Sequence, residues 1–172
     1  KGLMDKYGAD YSQLEMVNIG AADFFASVQR DIDFAWIYYG WDGIRAELMG
    51  FPLDFMLLQD LDPQLNFYTP VIIASKNTIE ENPQLVENFL QATQEGYQFC
   101  IEQPDDAARI LLKENPELDS DMIIASQQYL STHYISHSQG WGYMKEEIWE
   151  GFSSWMYEKG LISKPLDFNQ AY

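Results

Sequence analysis

The feature that most constrains the fold of this chain is a change of hydrophobic period near residue 79. Before it, short apolar runs alternate with amphipathic stretches, which is the rhythm of strands and helices in a parallel or mixed sheet. The strand candidates are residues 14–19, 33–39, 54–59 and 68–75. Between them, 21–30 (Phe24, Phe25, Val28) and 41–50 (Ile44, Leu48) carry apolar residues at three- and four-residue spacing and read as helices. Gly20 and Gly40 mark tight strand-to-helix turns, and Gly50 followed by Pro52 is a helix stop. Pro70 lacks a backbone donor, so its strand belongs at an edge or between lobes.

After residue 79 the period stays helical. Asn82 followed by Pro83 reads as a cap and first helical residue, opening a face of Val86, Phe89, Leu90, Thr93, Tyr97, Cys100 and Ile101. Pro104 opens a shorter helix through Ala107, Ala108, Leu111 and Leu112. Asp119 or Ser120 caps a third, with Ile123, Ile124 and Tyr129, and 145–159 form a fourth, ended by Gly160. Glu81-Asn82-Pro83-Gln84-Leu85 recurs as Glu114-Asn115-Pro116-Glu117-Leu118, but two unmatched copies of helix-start chemistry do not make a solenoid. The expectation is an α/β chain, with an α/β lobe and crossover strand over 1–75 and a helical region over 76–172.

Composition removes several function classes. The 172 residues are 47% hydrophobic, enough for a core, and 27 acidic against 10 basic residues give a formal charge of −17. That charge repels phosphate backbones and anionic lipid surfaces, so nucleic acid is not an expected partner; a solvated acidic surface also keeps a protein soluble. Cys100 is the sole cysteine, so neither an internal disulfide nor a cysteine zinc site can form, and its place on an apolar helix face reads as an inert thiol. No run approaches the ~18 apolar residues of a membrane span. The opening Lys1-Gly2-Leu3-Met4 carries neither an initiator methionine nor a signal peptide, and the chain reads as an internal piece.

The densest chemistry lies in Trp36-Ile37-Tyr38-Tyr39-Gly40-Trp41-Asp42-Gly43, where a strand candidate ends in aromatics, turns on glycine and opens a helix with an acid. Ligands of α/β sheets sit at the carboxyl ends of strands. Tyr38, Tyr39 and Trp41 offer flat faces to a planar ring, and Asp42 accepts hydrogen bonds from ring N–H or amino groups. Alternation puts Tyr38 and Tyr39 on opposite faces, so one of them belongs to the core. A second candidate is the turn Asn18-Ile19-Gly20-Ala21-Ala22-Asp23, whose backbone N–H groups could meet a polar ligand, although Asp23 also reads as an ordinary first-turn acid. Loop 60–67 with Tyr68, and Trp141-Gly142-Tyr143, are weaker cleft elements. His133 and His137 share a helical spacing but lack the glutamate and third ligand of a zinc site, so no metal and no other cofactor is expected. Phosphate loops and nucleophile elbows are absent, and nothing points to catalysis.

The order of these features resembles a family. The segments 17–25, 33–37 and 39–44, then 68–75, Glu81-Asn82-Pro83, 89–97, 125–130 and 155–161, resemble the substrate-binding proteins for formylaminopyrimidine and hydroxymethylpyrimidine, precursors of thiamine. The resemblance covers nearly the whole chain. It implies a type II periplasmic-binding-protein fold, here incomplete, with most of the N-terminal lobe missing. It also implies an extracytoplasmic solute-binding role in an ABC importer, delivering a small planar heterocycle to a membrane permease with no bond made or broken. Tyr38 would stack on the pyrimidine and Asp42 would bond its amino edge, Asp standing where relatives often carry Glu. Other members of the wider family bind riboflavin, sulfonates or other small molecules, and a pyrimidine-synthesising enzyme shares the fold. A third reading is a helical interaction module. A piece lacking its lobe would expose apolar surface and unpaired strand, so self-association is expected.

Overall fold

The computed structural model describes residues 1–18, 24–30, 32–135 and 140–167. Among them the chain forms nine α-helices: α1 (Gly2–Lys6), α2 (Phe24–Val28), α3 (Ile44–Met49), α4 (Leu58–Leu61), α5 (Lys76–Glu81), α6 (Pro83–Glu102), α7 (Pro104–Glu114), α8 (Ser120–Ser131) and α9 (Glu146–Glu158). Short 3-10 turns occupy Tyr11–Gln13 and Pro63–Leu65, and one π turn occupies Tyr39–Gly43. None is long and apolar enough to cross a membrane.

The helix boundaries follow local chemistry. The Asp119 side chain accepts from the Met122 N–H at 3.0 Å and starts α8, and the Ser75 hydroxyl accepts from the Thr78 N–H at 3.1 Å and starts α5, each satisfying a donor that the helix cannot. Pro83 and Pro104 open α6 and α7. Asn82 departs from expectation, since its side chain makes no capping bond. Gly50 stops α3 in the left-handed conformation at φ 63°, with the Gly50 and Phe51 N–H groups returning to the Glu47 and Ala46 carbonyls.

The expected α/β class and type II periplasmic-binding fold are not what this chain adopts: among the described residues there is no strand and no sheet. The reason is pairing. A strand becomes one only when a second extended segment lies ~4.8 Å away to complete its hydrogen-bond ladder. Residues 33–37, 52–56 and 69–74, within or overlapping three of the four strand candidates, are irregular and make no backbone–backbone hydrogen bond among the described residues. The first candidate likewise has no strand over its described residues 14–18.

The core is small and sits in the second half. Ala108 of α7 meets Met122 and Ile123 of α8, flanked by Leu112, Leu118 and Ile124. A second buried group is Phe25, edge-on to Phe24 and Phe51 with ring centroids 5.0 and 5.3 Å away, while the Arg45 guanidinium lies 5.2 Å over its ring. Phe152 of α9 stacks on Phe67 at 4.5 Å, and Lys159, just past the end of α9, pairs with Asp5 of α1 at 3.4 Å. Ile44 and Ala46 are buried on α3, which packs on α8 and so joins the early turn to the helical region.

Candidate functional site

The turn at Tyr39–Gly43 is built by two glycines and a wide helical loop. The Trp41 and Asp42 N–H groups donate to the Tyr38 carbonyl at 2.9 and 3.0 Å, and the Ile44 N–H reaches back to the Tyr39 carbonyl, the five-residue bond of a π turn. Such widened turns occur frequently at functional sites. Gly43 lies against the Tyr39 ring so closely that a Cβ there would come within 2.5 Å of it, and a Cβ on Gly40 would come within 2.6 Å of Leu130. The Ser126 hydroxyl donates to the Gly40 carbonyl, tying the turn to α8 across 86 positions of sequence.

The two adjacent tyrosines part ways. Tyr39 turns inward, its ring 4.4 Å from Phe55 and 5.2 Å from Tyr129, and its phenol donates to the Glu47 carboxylate. That hydrogen bond, helped by burial and by the Glu47 charge, pushes the Tyr39 phenol up to about 12. Tyr129 is raised as well, by burial first and then by Glu47. Tyr38 turns outward and is 64% exposed; Trp41 is 45% exposed, and Asp42 beside it is half-buried. The turn therefore leaves the Tyr38 and Trp41 rings accessible and the Asp42 carboxylate half-buried, while Tyr39 packs among aromatics.

The other candidates separate from this turn. Asn18 is exposed, and Gly20 and Asp23 lie outside the described residues. Tyr68 accepts from the Lys145 N–H at 2.9 Å and lines, with Phe67, Trp149, Phe152 and Met156, a cavity of about 80 Å³. Ligand pockets are usually ~300–1,000 Å³, so this one is a packing gap under α9. Trp141 stacks on Tyr97 at 4.7 Å, and Tyr134 meets Tyr97 edge-on at 4.9 Å. Burial pushes the Tyr134 phenol and the Cys100 thiol up.

His133 stacks on Tyr129 at 4.2 Å, and its Nδ1 donates to the Tyr129 carbonyl at 2.8 Å. His137 lies outside the described residues, and no cluster of three or more metal-ligating side chains occurs among those described. Sequence reading did not find Glu47, Phe55, Ser126, Tyr129, Leu130 or His133 as companions of the turn. The available signal was the spacing of Ser126, Tyr129, Leu130 and His133, which places all four on one face of α8 and its end.

The chain matches the family described as NMT1/THI5 like over residues 1–107, a span that includes the whole turn. It is 23% identical over 171 residues to the riboflavin-binding protein RibY of Chloroflexus aurantiacus, covering 96% of this chain and 48% of that protein. It is 19% identical over 180 residues to the formylaminopyrimidine-binding protein of Halalkalibacterium halodurans, covering 100% of this chain and 53% of that protein. The chain thus spans about half the length of the curated relatives it matches. With the family's match extending over more than half of its residues, this chain belongs to the NMT1/THI5-like family.

Proposed function

We propose that the chain is part of an extracytoplasmic solute-binding protein that captures a small planar heterocycle, such as a thiamine pyrimidine precursor, for an ABC permease. The observation that carries this reading is the exposure of Tyr38 and Trp41 in the 38–43 turn, which also carries Asp42 and is held by α8. Exposed aromatic faces bind flat rings by stacking, and a carboxylate accepts from ring N–H and amino groups. The names of the two relatives support it, since riboflavin and formylaminopyrimidine are both nitrogen-containing aromatic molecules. In this reading residues 1–75 present the ligand-contacting turn and residues 76–172 support it. Asn18, Gly20 and Asp23 are proposed as a second contact through backbone donors of their turn. The role is binding, with no bond made or broken.

Calorimetric titration of the protein, purified at the length its gene encodes, with formylaminopyrimidine and with riboflavin tests this. Tyr38→Ala and Asp42→Asn should each weaken binding about tenfold or more, since losing a stacked ring or a charge-assisted hydrogen bond costs ~1–3 kcal/mol. The melting temperature should not change. Equal affinity in wild type and both variants would sink the site assignment, and failure of the wild type to bind any flat heterocycle would sink the function.

A further inference from the structure

A serine or threonine inside a helix can turn its hydroxyl back onto a carbonyl of the preceding turn. Thr93, Ser131 and Ser153 do so, donating to the Phe89, Gln128 and Trp149 carbonyls at 2.7, 2.8 and 2.8 Å. Ser126 lies inside α8 and is only 4% exposed, yet its hydroxyl is directed off the helix and donates to the Gly40 carbonyl. The Gly40 carbonyl and the Trp41 N–H belong to one peptide group, and that N–H donates to the Tyr38 carbonyl at 2.9 Å. The peptide is therefore held at both ends, its oxygen by α8 and its nitrogen by the start of the turn.

Gly40 is where such a hold matters. Leu130 of α8 lies so close that a Cβ on Gly40 would meet it at 2.6 Å, so the close approach of α8 requires glycine at the link between Tyr38 and Trp41. Glycine has the widest backbone freedom of any residue, and rotation about its torsions swings Trp41 relative to Tyr38. Aromatic stacking depends on the offset and tilt of the rings. We propose, on the reading of this turn as the ligand-contacting site, that Ser126 is a positioning residue: it fixes the Gly40–Trp41 peptide and with it the pose of the Trp41 ring relative to Tyr38. Every group in this arrangement belongs to residues 38–41 or to α8.

Fluorine NMR of the protein at the length its gene encodes, labelled with fluorotryptophan and free of ligand, tests the pose directly. Tryptophan-to-phenylalanine substitutions assign the resonances of Trp41 and, as references on α9, of Trp149 and Trp155. Ser126→Ala should shift or broaden the Trp41 resonance and leave the two references where they are. An unmoved Trp41 resonance overturns the proposal, and so do comparable shifts at all three, which would mark a general structural role. In titrations with formylaminopyrimidine and with riboflavin, Ser126→Ala should weaken binding about fivefold. In a Trp41→Ala background the same substitution should have a much smaller effect, because no ring remains to be oriented. A loss of equal size in both backgrounds overturns the proposal. If the wild type binds no flat heterocycle while the Trp41 resonance still answers to Ser126, the ligand reading of the turn falls and the positioning of Trp41 stands.

Discussion

Tyr39 and Tyr38 are chemically identical neighbours with opposite fates, and the difference lies in what surrounds each ring. Tyr39 meets Phe55, Tyr129 and the bare Cα of Gly43, and donates to Glu47; Tyr38 meets solvent. Alternation had already separated the two, but only the packed neighbours decide which is inside. Gly43→Ala should therefore lower stability by ~1–3 kcal/mol, because the new Cβ must displace a packed ring. Denaturant unfolding would read that loss. In an alkaline titration followed by phenolate absorbance, Tyr39 should ionise last, near 12, and Glu47→Gln should bring it back toward ordinary phenol values. Its folded value lies above the ordinary ~10, so the stability it contributes is complete below about pH 10 and is lost as pH rises toward the folded value.

Among the elements, α8 has the most consequence for the turn. Asp119 starts it, Met122 and Ile123 bury it against α7, and Ser126 and Leu130 hold Gly40. Removing the cap with Asp119→Ala should cost ~1 kcal/mol, and Ile123→Ala in the core ~2–5 kcal/mol, both measured by thermal or denaturant unfolding. Ser126→Ala leaves the Gly40 carbonyl without its hydroxyl partner and should cost ~1 kcal/mol, less if water replaces it. The capping residues of α8 and the proline starts of α6 and α7 were legible because they act within one turn of their own sequence. The apolar runs before residue 76 were read as strands on equally local grounds, yet a strand depends on a partner that local pattern cannot supply.

At the scale of the whole molecule, stability is distributed unevenly. The buried contacts of α7 and α8 contrast with α6, which has no buried residue. Hydrogen exchange should therefore be slowest at 122–124 and fast over 33–37, 52–56 and 69–74, whose amides have no backbone acceptor among the described residues. Equal protection in the two groups would contradict this distribution. The large acidic excess acts at the same scale, setting solubility and salt response while leaving the fold to other terms.

By itself the sequence determined a few helix ends, since the Asp119 cap, the Pro83 and Pro104 starts and the Gly50 stop are satisfied within a few residues, while α1, α4 and α5 were not read from it. It also marked the aromatic and acidic turn at 38–43, whose composition is unusual in any fold. Only the tertiary structure decided that the strand-patterned segments stay unpaired, that Tyr39 packs while Tyr38 is exposed, and that Ser126 closes on Gly40. The physical reason is range. Caps and helical bonds join residues a turn apart, whereas ladders, ring packing and the hydroxyl on the turn require groups far apart in sequence to arrive at one place.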